Sequence, residues 1–580
     1  MKAHASSDGH IKANQAALAH LTTQHTGSVI QQLQNVAEQE RVLNRKAIKS
    51  FFRCAHFLAR QHIPHTTNFD KLVELVVSCG GEDLKNFLDR TGRNTVYTSH
   101  VAVVEFIEAL GIWVEESLLK RLRQASCFSI MADECTDVVT IEEMSVFCRW
   151  EEDGVPEEHF LEIVHLKKAD AENIYSAFVE CLKEKQLEVS RIIGMGFDGA
   201  STFSGKKTGV QTRIKKIAPH ALFVHCHSHL LQLACVQAAN STNGIKHVYV
   251  TLTALWKFFH YSPKRVESLK MVQQVLNLPE LKIAKPSDTR WLAHERCVKA
   301  VKASYGAIVT ALSDIHENTH EPEALGLCKA LTKQHTVAAM YMLDFVLPQV
   351  AKLSRTLQTE QLDLSMISSL VNATLHTLDD SILPSANWVL ELLDNCEHLK
   401  EATGIIVTLA DITSFQEQAT KPFIAHLKEN ISSRFSSSDV VSAMSIFDPR
   451  KAPKADSPDL SRYGEEAIGT LLAHYGSEKP AETLHGNSTN REAIVTSDIT
   501  TEWKTYRQLL VSKPENDMKA QLKELASNDM IKTLFPNLSK IGAICLSIPV
   551  TTASVDRNFS EMKLIKTHLR NSLNGKASLI

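Results

Sequence analysis

Phe128-Ser-Ile-Met-Ala-Asp133-Glu-Cys-Thr-Asp137 is where the chain changes period. Upstream, residues 12 to 120 carry apolar side chains at helical spacing, among them Val36, Val42, Leu43, Ile48, Phe51, Phe52, Phe57 and Leu58, broken at Pro64 and Gly80-Gly81. Downstream, three short apolar runs follow one another: Phe128 to Asp133, Met144 to Trp150 and Phe160 to Leu166, with Gly154 and Pro156 between the last two. These read as strands, the second and third joined by a hairpin. Ala171 to Lys185 has amphipathic helical character, and Val189 to Phe197 returns to an apolar strand ending at Asp198. A helix over Val210 to Ile217 and a strand over Ala221 to Cys226 complete a mixed sheet, which layer logic covers with helices on its faces.

Beyond residue 245 the strand signal fades, and residues 295–530 read as an all-α region. Within it, 451–498, with Pro453, Ser457-Pro458, Gly476 and Gly486-Asn-Ser-Thr-Asn490, reads as a loop or linker. The end is apolar from Ile541 to Val550 and then amphipathic, with a basic stripe of Lys563, Lys566, His568 and Arg570. The fold class expected is therefore α/β plus all-α, preceded by a helical N-terminal domain. The boundaries expected are 1–12, 13–125, 126–294, 295–530 and 531–580.

A 580-residue chain that is 44% hydrophobic and 22% charged has the composition of a globular protein. No apolar run approaches the ~20 residues of a membrane span, and the polar start at Met1 is unlike a signal peptide. Twelve cysteines without paired spacing read as thiols of a reducing compartment. A net charge of −3 confines any nucleic-acid binding to local basic patches.

Asp133 and Asp198 each follow an apolar strand, where α/β sheets place ligands. Two carboxylates brought together there repel, and divalent cations relieve this while serving phosphoryl transfer. The alternative is that each acid caps the next turn. His225-Cys226-His-Ser-His229 is dense in metal-binding atoms but lacks a second ligand pair, so polar packing at a strand-to-helix junction competes with zinc. Lys206, Lys207, Arg213, Lys215 and Lys216 suit DNA phosphates or an ordinary solvated helix face; the segment lacks Walker spacing. In Thr289-Arg290-Trp291-Leu292, the indole either stacks on an extruded base or anchors a core.

Taken in order, Asp133-Glu-Cys-Thr-Asp137, Gly196-Phe-Asp-Gly-Ala200, Cys226-His-Ser-His229, Thr289-Arg-Trp291 and Ile548-Pro-Val-Thr-Thr-Ala-Ser-Val-Asp-Arg-Asn-Phe-Ser560 resemble the successive signatures of hAT transposases, over residues 40 to 575. They also resemble animal zinc-finger proteins that carry a hAT dimerisation region. The resemblance implies an RNase H-like mixed sheet interrupted by a long α-helical insertion, with three acids holding two Mg²⁺ or Mn²⁺ ions. Asp133 and Asp198 match the first two acids. The third is a glutamate in the family's Ser-x-Glu-Arg-x-Phe-Ser pattern, but here it is Asp556, one methylene shorter. By the same carry-over Cys226, His229 and Trp291 lie beside the DNA end, with Arg290 a further DNA-binding candidate, and 531–580 dimerises with a second copy. Residues 1–12 resemble the last turns of a zinc finger, but His4 and His10 cannot complete a four-ligand site, so no structural zinc is expected.

The function expected is that of a transposase-derived nuclear protein that forms a homodimer or higher oligomer and binds DNA or chromatin partners, with impaired catalysis. Neither a membrane nor a small-molecule substrate is expected. The alternatives are an active hAT transposase performing two-metal strand cleavage and transfer, and a poorly folding transposon fragment.

Overall fold

In the computed structural model of the protein, which describes residues 4, 6–26, 29–92, 97–136, 142–286, 292–359, 364–435, 438–513 and 517–565, the change of period at Phe128 begins a sheet. Its strands are β1 (Phe128–Thr136), β2 (Glu142–Glu152), β3 (Val155–His165), β4 (Ile192–Phe197) and β5 (Leu222–His225). The spatial order is β3-β2-β1-β4-β5. β1 pairs antiparallel with β2 and β2 antiparallel with β3, while β1, β4 and β5 run parallel. The β2–β3 hairpin turns on Asp153 (φ 50°) and Gly154 (φ 74°), a two-residue turn whose positive φ values match the twist of the strands. Helices α1 (Ala171–Glu184) and α2 (Val210–Ile217) make the crossovers that parallel pairing demands. Asp170 caps α1 by accepting from the amides of Glu172 and Asn173.

After β5 the chain enters α3 (His227–Ser241), α4 (Asn243–His260) and α5 (Pro263–Val275), the start of a long helical insertion with its own core. At its centre, the helix over Gln334–Leu357 buries Val337, Met340, Leu343, Leu347 and Val350, apolar residues recurring at helical spacing. The mixed sheet split by a helical insertion, expected from the resemblance, is thus present. The insertion is not wholly helical, however. Residues 479–482 (β6) and 488–491 (β7) form a two-stranded antiparallel sheet, and α6 (Glu465–Tyr475) lies just before it. The loop expected over 451–498 is therefore structured. Ile468, Leu471 and Tyr475 of α6 bury themselves in a second core with Trp503 and Leu538.

That second core joins the sheet to the end of the chain. Helix α7 (Pro536–Ser547) buries Leu538, Ile541, Ile544 and Cys545, and packs against β2, β3 and β4. Arg149 of β2 donates from Nε to the Leu546 carbonyl at 3.0 Å. A turn through Pro549 leads into α8 (Ala553–Ile565). Residues 122–559 form one compact unit; residues 1–121 with 560–580 form another. The latter has a core around Phe51, whose ring lies 5.8 Å from Phe87 and 6.0 Å from Phe106. No described helix is long and apolar enough to cross a membrane.

Candidate functional site

β1 and β4 are parallel neighbours whose last paired residues are Ala132 and Phe197. Asp133 and Asp198 each come next, so each carboxyl-bearing residue directly follows one of two paired strands that lie ~4.8 Å apart. A Cβ on Gly196 would meet Met131 Cγ at 3.1 Å and Pro549 Cγ at 2.8 Å, so Met131 and Gly196 share the face beneath Pro549. Alternation carries Asp133 onto the same face. β1 does not end at Asp133, as expected, but runs on to Thr136 because β2 continues to pair with it. Asp133 Oδ1 accepts from the Glu134 amide at 2.9 Å. Asp198 Oδ1 accepts from the Ala200 amide at 3.1 Å, closing a turn into the short helix Ser201–Ser204. The capping role weighed for Asp198 is real, and it leaves the second carboxylate oxygen available for other partners.

Opposite Asp133 in the β1–β2 ladder is Ser145, which is fully buried. Its Oγ accepts from Asn558 Nδ2 of α8 at 2.9 Å. The helix that carries Asp556 is thereby fastened to the sheet at the register position of Asp133. The side chain of Asp556 lies outside the described residues.

The histidine-rich stretch starts α3. The Cys226 amide donates to Phe197 O at 3.0 Å, and its buried Sγ lies 3.9 Å from Thr551 Oγ1. His227 Nδ1 meets Val550 O at 2.7 Å, tying α3 to the Pro549 turn. His229 packs on Gly199, the residue after Asp198, where an added Cβ would meet its Cδ2 at 3.4 Å. Two further groups complete the neighbourhood. Burial, the charge of Asp198 and that of Glu142 push the Glu134 carboxyl up to about 7. Burial lowers the His225 imidazole, with Asp198 opposing and His229 adding to the shift. Sequence reasoning gave Glu134 no role, although it directly follows Asp133, and weighed His225, which ends β5, only as part of the histidine-rich stretch.

Among the described residues, no three His, Cys, Asp or Glu side chains converge as a metal cage. Mg²⁺ needs less, since it is commonly held by one or two carboxylates and waters, so the Asp133 and Asp198 pair fits that ion.

Lys206 and Lys207 are exposed in the turn between Ser204 and Val210. That turn is so tight that a Cβ on Gly209 would lie 2.5 Å from Gly205 O. Arg213 of α2 is half-buried and engaged within the protein, its Nε on Thr208 O at 3.1 Å and its Nη2 3.7 Å from Glu172. Arg290 and Trp291 lie outside the described residues.

Residues 2–209 match a family model described as the ZMYM1/FAM200 RNase-like domain. Residues 530–578 match the hAT family C-terminal dimerisation region. The chain is 22% identical over 589 residues to the human 52 kDa repressor of the inhibitor of the protein kinase, covering 92% of this chain and 73% of that protein. The mouse protein of the same name is 22% identical over 590 residues, covering 92% and 74%. With an RNase-like match over β1 to β4 and a hAT match over α7 and α8, which Asn558 joins to β2 at Ser145, the chain is hAT-related in these two regions.

Proposed function

We infer that this protein is a transposase-derived nuclear factor that self-associates through its C-terminal region, binds DNA, and cuts it poorly or not at all. The observation that supports the reading is that Asp133 and Asp198 directly follow Ala132 and Phe197, the last paired residues of adjacent parallel strands, with α8 fastened to β2 through Asn558 and Ser145. Asp133 and Asp198 would hold Mg²⁺ or Mn²⁺, which when bound supplies activation of water and stabilisation of a leaving oxygen. Asp556, in place of the family's glutamate, brings its carboxylate one methylene short. A misplacement of about 1 Å costs ~100-fold in such chemistry. Binding without cutting accords with the word repressor in the names of the human and mouse relatives, and a nuclear location follows from the proposal of DNA as partner.

The test is strand cleavage and joining on duplex DNA carrying hAT element ends, with Mg²⁺ or Mn²⁺, for the chain, Asp133→Ala and Asp556→Glu. Duplex binding without cleavage by the unaltered chain, and cleavage gained in Asp556→Glu, is the expected result. Cleavage by the unaltered chain that Asp133→Ala abolishes would establish the second reading, an active transposase, which the paired aspartates favour.

A further inference from the structure

The turn joining α4 to α5 lies apart from the aspartate site and combines charge with exposed rings. Residues 243–286 hold seven Lys and Arg against two Asp and Glu, in a chain whose net charge is −3. Two of the seven cations have acidic partners: Arg265 pairs with Glu321 at 2.6 Å, and Lys270 with Glu280 at 3.4 Å. Lys257, Lys264 and Lys285 are exposed and make no ion pair among the described residues.

The rings form a graded stack. Trp256, nearly buried, is the base; His260 lies on it at 4.5 Å with planes 23° apart; Tyr261 stands edge-on to His260 at 5.0 Å and is 73% exposed. Lys285 Nζ sits 5.3 Å from the Trp256 ring centroid. Lys257 is one helical turn before Tyr261, and Lys264 follows it in the first turn of α5.

A duplex keeps its bases stacked on one another and would offer this surface only phosphates, leaving the exposed rings without a partner. An unpaired strand offers both base faces and phosphates. We propose that the α4–α5 turn binds single-stranded nucleic acid, with bases stacking on His260 and Tyr261 and phosphates on Lys257, Lys264 and Lys285. The inference rests on the DNA-binding reading above and names a second surface with its own substrate form.

The test uses the full chain and two labelled probes, a dT20 oligonucleotide and a 20-base-pair duplex, with His260→Ala/Tyr261→Ala and Lys257→Gln/Lys264→Gln/Lys285→Gln. Loss of two stacking rings should weaken dT20 binding about tenfold or more and leave duplex affinity unchanged. Loss of three lysines should flatten the logarithmic salt dependence for dT20 by about 2. Single-strand binding unaffected by removal of the rings, or duplex binding without single-strand binding, overturns this inference and leaves the DNA-binding reading intact. Binding to neither probe overturns both. Unchanged melting temperatures in the variants separate these outcomes from misfolding.

Discussion

Asn558 and Ser145 are 413 residues apart in the chain and 2.9 Å apart in space, and Ser145 is the register partner of Asp133. One hydrogen bond between a helix near the end of the chain and a buried strand position sets where α8 stands against the candidate aspartates. Because Ser145 is fully buried, the two partners should differ in what their loss costs. Asn558→Ala leaves a buried hydroxyl without its partner and should destabilise by about 1–3 kcal/mol, whereas Ser145→Ala removes that hydroxyl and should cost less. A double-mutant cycle followed by urea unfolding should return a coupling of about 1 kcal/mol; additivity of the two changes would mean that the bond contributes nothing.

Two glycines should respond in opposite directions to the same added methyl. Gly196→Ala pushes a Cβ against Pro549 and Met131, and should destabilise by about 1–3 kcal/mol by displacing the turn into α8. Gly469 is exposed within α6 with nothing within 4 Å of an added Cβ. Gly469→Ala should stabilise by about 0.5–1 kcal/mol. Melting temperatures that move the same way in both variants would contradict this packing.

Acid should loosen the junction between β5 and the β6–β7 hairpin. His474 Nε2 donates to His220 O at 3.0 Å, and Lys479 Nζ lies 3.4 Å from its Nδ1. Burial, helped by the charges of Lys479, His220 and Lys215, outweighs the backbone bond to His220 and lowers His474 to about 4 from its ordinary 6.5. The unfolded chain therefore takes up this proton more readily, so the stabilisation is complete above pH 6.5 and is lost as pH falls towards 4. His474→Gln keeps a donor and removes the titration, and should flatten the stability profile in that window by about 1–3 kcal/mol. Parallel profiles for the two proteins would exclude His474 as the source.

If Asp133 and Asp198 take up a divalent ion, Mn²⁺ should raise the melting temperature of the unaltered chain. At one hundred times the dissociation constant the gain is about 2.7 kcal/mol. Asp133→Asn/Asp198→Asn should remove the shift while melting normally in its absence. An equal shift in both proteins would place the ion elsewhere.

The sheet was legible because each strand contains a short apolar run, and β2 is buried along most of its length, whereas the first half of β3, Val155-Pro-Glu-Glu-His159, carries no such run. The β6–β7 hairpin was not. Lys479-Pro-Ala-Glu482 and Ser488-Thr-Asn-Arg491 bury only Ala481, so they carry no apolar alternation to read. Helix α6 does carry the period, at Ile468, Leu471 and Tyr475, but the prolines, glycines and serines around it masked the signal. At the candidate site, the two aspartates could be found as acids closing apolar runs. The tie from His227 to Val550 spans 323 residues and that from Asn558 to Ser145 spans 413, beyond the reach of any local pattern. The Glu134 carboxyl is likewise raised by burial first and then by Asp198, which the parallel pairing of β1 and β4 brings near.

The bond from Arg149 to Leu546 closes a loop of 397 residues, and it has a meaning for synthesis. At ~5–20 residues per second, a ribosome delivers α7 on the order of 20–80 s after β2. For that interval the β2 face that α7 later covers is bare, while the helices of the insertion can already assemble around their own core. Newly made chains should therefore depend on holding chaperones until the last helices emerge, and this stage, more than the folded state, is where sequence changes in α7 would cause loss of protein.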